Sequence, residues 1–138
     1  MKNVIFTIGH SNKTSKEIIE KLKEQNITDL IDVRSVPFSK WTPQFNQPLF
    51  GPEVRSNGIN YNWRGKNLGG FGGNVDYELT LDTLVYGTER KRIICLMCSE
   101  ANPLDCHRHQ LLEPELVKRG VEVEHIFLDE RGKEKWNK

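Results

Sequence analysis

The chain has 138 residues and a net charge of +1, enough length for one domain with a real core, and a balance that excludes both a generally basic nucleic-acid binder and an acidic disordered chain. No apolar run reaches the ~18 residues needed to span a bilayer, and Met1-Lys2-Asn3-Val4 lacks the long apolar stretch of a secretion signal. Three cysteines are too few, and odd in number, for a disulfide framework, so the thiols are expected reduced and the protein cytoplasmic, with no membrane partner.

In chain order, Val4 to Ile8 is a short β-branched apolar run, the pattern of a buried strand, ending in Gly9-His10-Ser11. Thr14 and Glu17 form a capping box, and Ile18, Ile19 and Leu22 make the stripe of the helix that follows, with Asn26 as its stop. Leu30 to Val33 is a second strand ending in Arg34-Ser35, and the strand–helix–strand spacing fits a right-handed parallel crossover. From about residue 36 to 75 the chain changes character, with four prolines between Pro37 and Pro52 and four glycines between Gly69 and Gly73. Within this insert a short helix over Leu49 to Arg55 and a strand over Gly58 to Tyr61 are expected, the rest reading as a long irregular loop, functional or mobile. Leu81, Leu84 and Val85 mark a helix stopped at Gly87, and Arg92 to Met97 is a third long apolar strand. The next helix runs to about Arg119, kinked or restarted at Pro114 and closed by Gly120. Val121 to Phe127 alternates as a half-exposed or edge strand. Residues 129–138 form a polar tail expected to be poorly ordered. The order predicts one three-layer α/β domain over residues 1–128 with a mainly parallel sheet.

In a parallel sheet the carboxyl ends of the strands share one edge, so Gly9, His10 and Ser11, then Asp32, Arg34 and Ser35, then Cys98 and Glu100 are predicted to converge on one crevice. The richest stretch is Cys98 to Arg108, which packs thiols, a carboxylate, an imidazole and a guanidinium into one strand-to-helix connection. Asp105 is expected to cap the following helix, with Cys106, His107 and Arg108 in its first turn. Free N–H groups and the helix dipole there favour an anion, to which Arg108 adds a bidentate donor. Cys98 or Cys106 is the candidate nucleophile. His10, Asp32 and Glu100 are candidates for acid/base work, although Asp32 and Arg34, two apart, equally fit an internal ion pair and His10 a buried structural histidine. No metal set is assigned, since the spacings among Cys98, Cys106, His107 and His109 do not match structural zinc sites. Cys95 and Cys98 point to opposite strand faces, which leaves Cys95 in the core.

The insert interleaves Arg34, Lys40, Arg55, Arg64 and Lys66 with Phe38, Trp41, Phe45, Phe50, Tyr61 and Trp63. That mixture suits stacking plus phosphate contacts to a nucleotide or single-stranded nucleic acid, and suits equally a satellite core beneath the loop.

Together these blocks carry a resemblance. Thr7-Ile8-Gly9-His10-Ser11, Leu30-Ile31-Asp32-Val33-Arg34-Ser35, Pro43-Gln44-Phe45-Asn46, Gly58-Ile59 with Tyr61, Leu68-Gly69-Gly70, Leu96-Met97-Cys98 with Glu100 and Pro103, and Cys106-His107-Arg108 resemble the bacterial and archaeal family called domain of unknown function 488. The resemblance implies an α/β fold and brings no established activity. Asn74-Val75-Asp76 stands where a longer loop is expected.

The leading expectation is an enzyme acting on a small phosphorylated or nucleotide-like substrate. Catalysis falls to His10, Cys98, Glu100, Cys106 and Asp32, and anion binding to Gly9, Ser11, Arg34, Ser35, Asn46, Tyr61, His107 and Arg108. The alternatives are a non-catalytic nucleotide or single-strand module working through the insert, and a scaffold whose polar cluster is structural. No cofactor and no oligomeric state is assigned.

Overall fold

The structure is a computed structural model that describes residues 3–136. Five strands form one wholly parallel sheet: β1 (Val4–Gly9), β2 (Asp29–Asp32), β3 (Asn60–Trp63), β4 (Ile94–Cys98) and β5 (Glu122–Ile126), in the order β3-β2-β4-β1-β5. The helices are α1 (Ser15–Glu24), α2 (Gln47–Ser56), α3 (Gly65–Leu68), α4 (Tyr77–Glu89), α5 (Glu113–Lys118) and α6 (Glu130–Trp136). The chain steps outward from β1 to β2 and β3, then returns to insert β4 beside β1 and place β5 on the far side. Such a reversal opens a crevice at the carboxyl edge.

Period-two alternation divides the core between the two faces of the sheet. On β4, Cys95 and Met97 pack with Ile18 and Leu22 of α1 and Phe50 and Val54 of α2. Ile94, Leu96 and Cys98 pack with Leu81 and Leu84 of α4 and Leu116 of α5. The strands therefore read as continuous apolar runs because both faces are covered. Among the described residues, no helix is long and apolar enough to cross a membrane.

Several elements follow the expected rules. Thr14 closes the capping box at α1, taking a hydrogen bond from Glu17 N and giving its own N–H to Glu17 Oε1. Pro114, which has no N–H to give, sits at the start of α5, where that donor is not needed. The turn before it, Arg108–Leu112, winds as a π-helix, and the helical path runs on from it into α5 without a break, the wider turn accommodating the proline.

Other elements differ from expectation. The insert is not a long irregular loop: it carries α2, α3, a short 3₁₀ turn (Pro43–Phe45) and β3, which pairs with β2 at the sheet edge. Its Phe45, Phe50 and Tyr61 are core residues, so their aromatic signal was a packing signal. Helix α4 passes Gly87 and ends at Glu89, since one glycine costs only about 1 kcal/mol and tertiary packing overrides it. The segment expected to be poorly ordered carries α6, and residues 137–138 lie outside the described residues. Asp105 does not cap a helix. Asn102 caps instead, accepting from Leu104 N at 3.0 Å, and Cys106 is extended (φ −132°, ψ 144°), so the helical path starts only after it.

Candidate functional site

The carboxyl ends of β1, β2 and β4 lie side by side. Pairing of β1 with β4 continues past the strands, with His10 N bonded to Cys98 O at 3.0 Å and Ser11 N to Ser99 O at 2.8 Å. Beyond the strand ends opens a cleft of about 350 Å³. Its walls include Arg34, Ser35, Glu100 and His107, and its floor holds Cys98 and Cys106. Residues of two of the predicted segments, Arg34–Ser35 and Cys98–His107, line this cleft, while Gly9–Ser11 lies beside it at the same sheet edge without lining it.

Behind the cleft lies a buried polar network. Asp32 is wholly enclosed and accepts from Arg34 N at 3.1 Å, Arg34 Nε at 2.9 Å, Arg34 Nη2 at 2.6 Å and the Tyr61 hydroxyl. Arg34 Nη2 also donates to Phe45 O at 2.8 Å, and Nη1 donates to His10 Nε2 at 3.3 Å. The ring of His10 stacks on Phe45, with centroids 4.2 Å apart, and its Nδ1–H donates to Ser11 O at 2.7 Å. The carbonyl fixes the tautomer, leaving Nε2 as the acceptor for Arg34. Burial, reinforced by Arg34, lowers the His10 pKa to about 4, so the ring is neutral at pH 7. Burial likewise pushes Tyr61 up, with Asp32 beside it acting in the same sense, so its phenol stays protonated. Asp32, Tyr61 and His10 are thus spent on holding Arg34. Of the five N–H groups of a guanidinium, Nε, both on Nη2 and one on Nη1 are committed in these bonds. The second Nη1 donor belongs to a side chain that lines the cleft.

Arg108 lies elsewhere than expected. It is fully buried and does not reach out to a ligand at a helix start. Nε donates to Thr7 Oγ1 at 3.0 Å, Nη1 to Cys98 Sγ at 2.7 Å and to Glu100 O, and Nη2 to Ala101 O at 3.0 Å. Burial lowers its pKa to about 10, which leaves it cationic at neutral pH. Gly9 makes this possible: a Cβ there would stand 1.7 Å from Glu100 O and 2.7 Å from Arg108 Nη1. Glycine at position 9 therefore serves close backbone approach rather than substrate contact.

The sulfurs of Cys98 and Cys106 meet and pair across the cleft floor, their Cα atoms 7.4 Å apart. The expectation of unpaired thiols is thereby corrected: two segments of one connection fold back on each other, a contact that cysteine counting does not reveal. Cys106 Sγ also lies 3.7 Å from His107 Nδ1 and 3.5 Å from Arg108 N. His107 donates Nε2–H to Leu68 O at 3.0 Å, and burial lowers its pKa, so it is neutral with its basic nitrogen toward Cys106. Cys95 sits inside the other face of the sheet, where burial raises its thiol far above the ordinary range.

The remaining candidates separate. Ser35 and the exposed Glu100 line the cleft. Asn46 is spent on the backbone, accepting from Ser39 N at 2.6 Å. Ser11 adopts a left-handed backbone (φ 51°) and contributes its carbonyl to His10. Sequence reasoning missed Thr7. Its hydroxyl bonds both Arg108 and His125 Nδ1, joining residues 101 and 118 positions apart, and no local pattern signals such a pairing.

A sequence model of DUF488, a domain of unknown function, matches residues 14–77. That span contains the Asp32–Arg34–Tyr61 network, whereas Cys98 to Arg108 lies beyond it. No curated protein and no solved structure matches the chain.

Proposed function

From the premise that this chain is a DUF488 protein, matched over residues 14–77, we propose that it is a thiol-dependent enzyme acting on a small anionic substrate in the cleft at the carboxyl ends of β1, β2 and β4. The observation that carries this reading is the pairing of Arg108 with Cys98. A buried cation is costly unless an anion or a full set of hydrogen bonds compensates it. The other partners of Arg108 are a hydroxyl and two carbonyls, and the ionisable one is the Cys98 sulfur at 2.7 Å. In the reduced protein Cys98 therefore serves as the counter-ion, a thiolate and hence the nucleophile. Cys106 is the second thiol, its sulfur against that of Cys98, and His107 Nδ1 is placed to take the Cys106 proton. Arg34, whose guanidinium lines the cleft, brings the positive charge that favours a carboxylate, phosphate or similar anion there. In this account His10 and Asp32 position Arg34 and carry no proton in the reaction.

The test is alkylation after gentle reduction. With iodoacetamide at neutral pH, Cys98 is expected to label first, and inorganic phosphate or another small anion is expected to slow it. Arg108→Lys should keep part of the rate and Arg108→Gln should lose it by about tenfold. Equal labelling of Cys98 in wild type and Arg108→Gln, both folded by circular dichroism, refutes the proposal.

The alternative of a nucleotide or single-strand module draws on the exposed Phe38, Trp41 and Phe71, with Lys40 lying 5.0 Å from the Trp41 ring centroid. It requires binding that survives Cys98→Ser and fails in Trp41→Ala.

A further inference from the structure

We propose that His109, Glu113 and His125 form a binding site for a divalent transition-metal cation of the zinc class, separate from the thiol cleft. The three side chains offer two imidazole nitrogens and a carboxylate oxygen within 4.8 Å of one another. These are the residue types that bind zinc with one coordination position left open. They come from three elements. His109 and Glu113 are four residues apart, on the π-turn and the first position of α5, and share a helix face. His125, on β5, is buried and comes up from the sheet beneath them.

The hydrogen bonds give the site its character. Glu113 Oε1 accepts from His109 Nδ1 at 2.7 Å and from His125 Nε2 at 2.8 Å. Two N–H donors thus converge on a single oxygen, with their protons along the two edges of the triangle that meet there. A tetrahedral zinc with ligands at ~2.0–2.1 Å holds its donor atoms about 3.3 Å apart, so replacing the two protons by the cation needs the two edges that meet at Glu113 Oε1 to open by about half an ångström, while the imidazole nitrogens already lie within 4.8 Å of each other.

The surroundings fit a cation. Thr7 Oγ1 accepts from Arg108 Nε, and because the Glu113 carboxylate accepts at His125 Nε2, the other ring nitrogen, Nδ1, takes the Thr7 hydroxyl proton. That leaves the proton of His125 on Nε2, the nitrogen facing Glu113. When Nε2 takes a metal instead, Nδ1 carries the proton and Thr7 Oγ1 receives it, the supporting hydrogen bond that metal-bound imidazoles regularly have. The adjoining groove, about 470 Å³, carries five carboxylates against two lysines, with Glu24, Glu124 and Asp129 beside Glu113, and so draws cations toward the cluster.

The test uses the tag-free, full-length protein, stripped by chelator and with Cys98 and Cys106 alkylated, Cys95 being enclosed in the core, so that sulfur cannot ligate. Titrated with Co²⁺, it is expected to bind one equivalent with the visible bands of a nitrogen/oxygen site, and Zn²⁺ should displace the cobalt and raise the melting temperature. Glu113→Gln and His109→Asn alter half-buried positions and should each weaken binding by at least about tenfold. No Co²⁺ or Zn²⁺ binding at 100 µM metal overturns the proposal. Binding of unchanged affinity in both variants, or spectra unchanged by them, overturns it equally.

Discussion

Acidification should unfold this protein through His10, and the size of the effect follows from the geometry. The ring is buried, stacked on Phe45, and accepts from Arg34 at Nε2, so a proton added there would sit unsolvated beside a guanidinium. Burial first, then Arg34, takes the pKa from 6.5 to about 4 against the opposing pull of Ser11 O and Asp32. The folded pKa lies below the unfolded one. Between these values the unfolded chain therefore binds a proton that the folded chain refuses, and stability falls as pH falls. The contribution is complete above about pH 6.5 and gone below about pH 4, and a shift of this size is worth about 3 kcal/mol. The assay is urea denaturation at stepped pH of the wild type and of His10→Phe, which keeps a ring on Phe45 but does not titrate. The stability difference between them should shrink by about 3 kcal/mol from pH 7 to pH 4. A difference that stays constant over that range refutes the reasoning, because acidic loss would then come from other groups. Burial lowers His107 and His125 too, and comparison with the variant cancels their share.

Gly9→Ala should destabilise by more than about 3 kcal/mol, since its Cβ overlaps the Glu100 carbonyl; a melting temperature within a few degrees of wild type would show that the Glu100–Ala101 turn yields at little cost. Asp32→Asn leaves Arg34 buried without its anion and should cost about 3–5 kcal/mol, measurable by the same denaturation, while a loss below 1 kcal/mol would mean the network is not the support of the cleft. Cys95 should resist iodoacetamide in the native protein and react only on unfolding, as read by peptide mass spectrometry, because it is buried and its thiol is raised; native-state labelling of Cys95 before Cys98 would contradict both the strand register and the site.

Much of the fold was legible because its signals are local. Continuous β-branched runs bounded by polar strand ends marked β1, β2 and β4, and the Thr14–Glu17 box marked α1. Strand ends in a parallel sheet share an edge by geometry, which is why Arg34, Cys98 and Cys106 could be brought to one cleft in advance. The role of Arg108 was not legible. Its neighbours Thr7 and Gly9 lie about a hundred residues away, and its position depends on Cys106 being extended rather than helical. The His109–Glu113–His125 cluster was not legible either, since His125 reaches it only through the β1–β5 pairing that sets Thr7 opposite His125. In the insert, the aromatics fitted a stacking surface as well as a core. What separates Phe45 from Trp41 is tertiary: one is enclosed under His10, the other 83 % exposed.

The central claim is that reduced Cys98 carries a negative charge because Arg108 faces it. The ultraviolet absorbance of thiolate, followed against pH on the reduced protein and on Cys98→Ser, measures this directly. The account predicts that wild type carries one thiolate equivalent more than Cys98→Ser at pH 7, and that Arg108→Gln loses that excess. Identical absorbance of wild type and Cys98→Ser up to the ordinary thiol pKa of about 8.5 would contradict it.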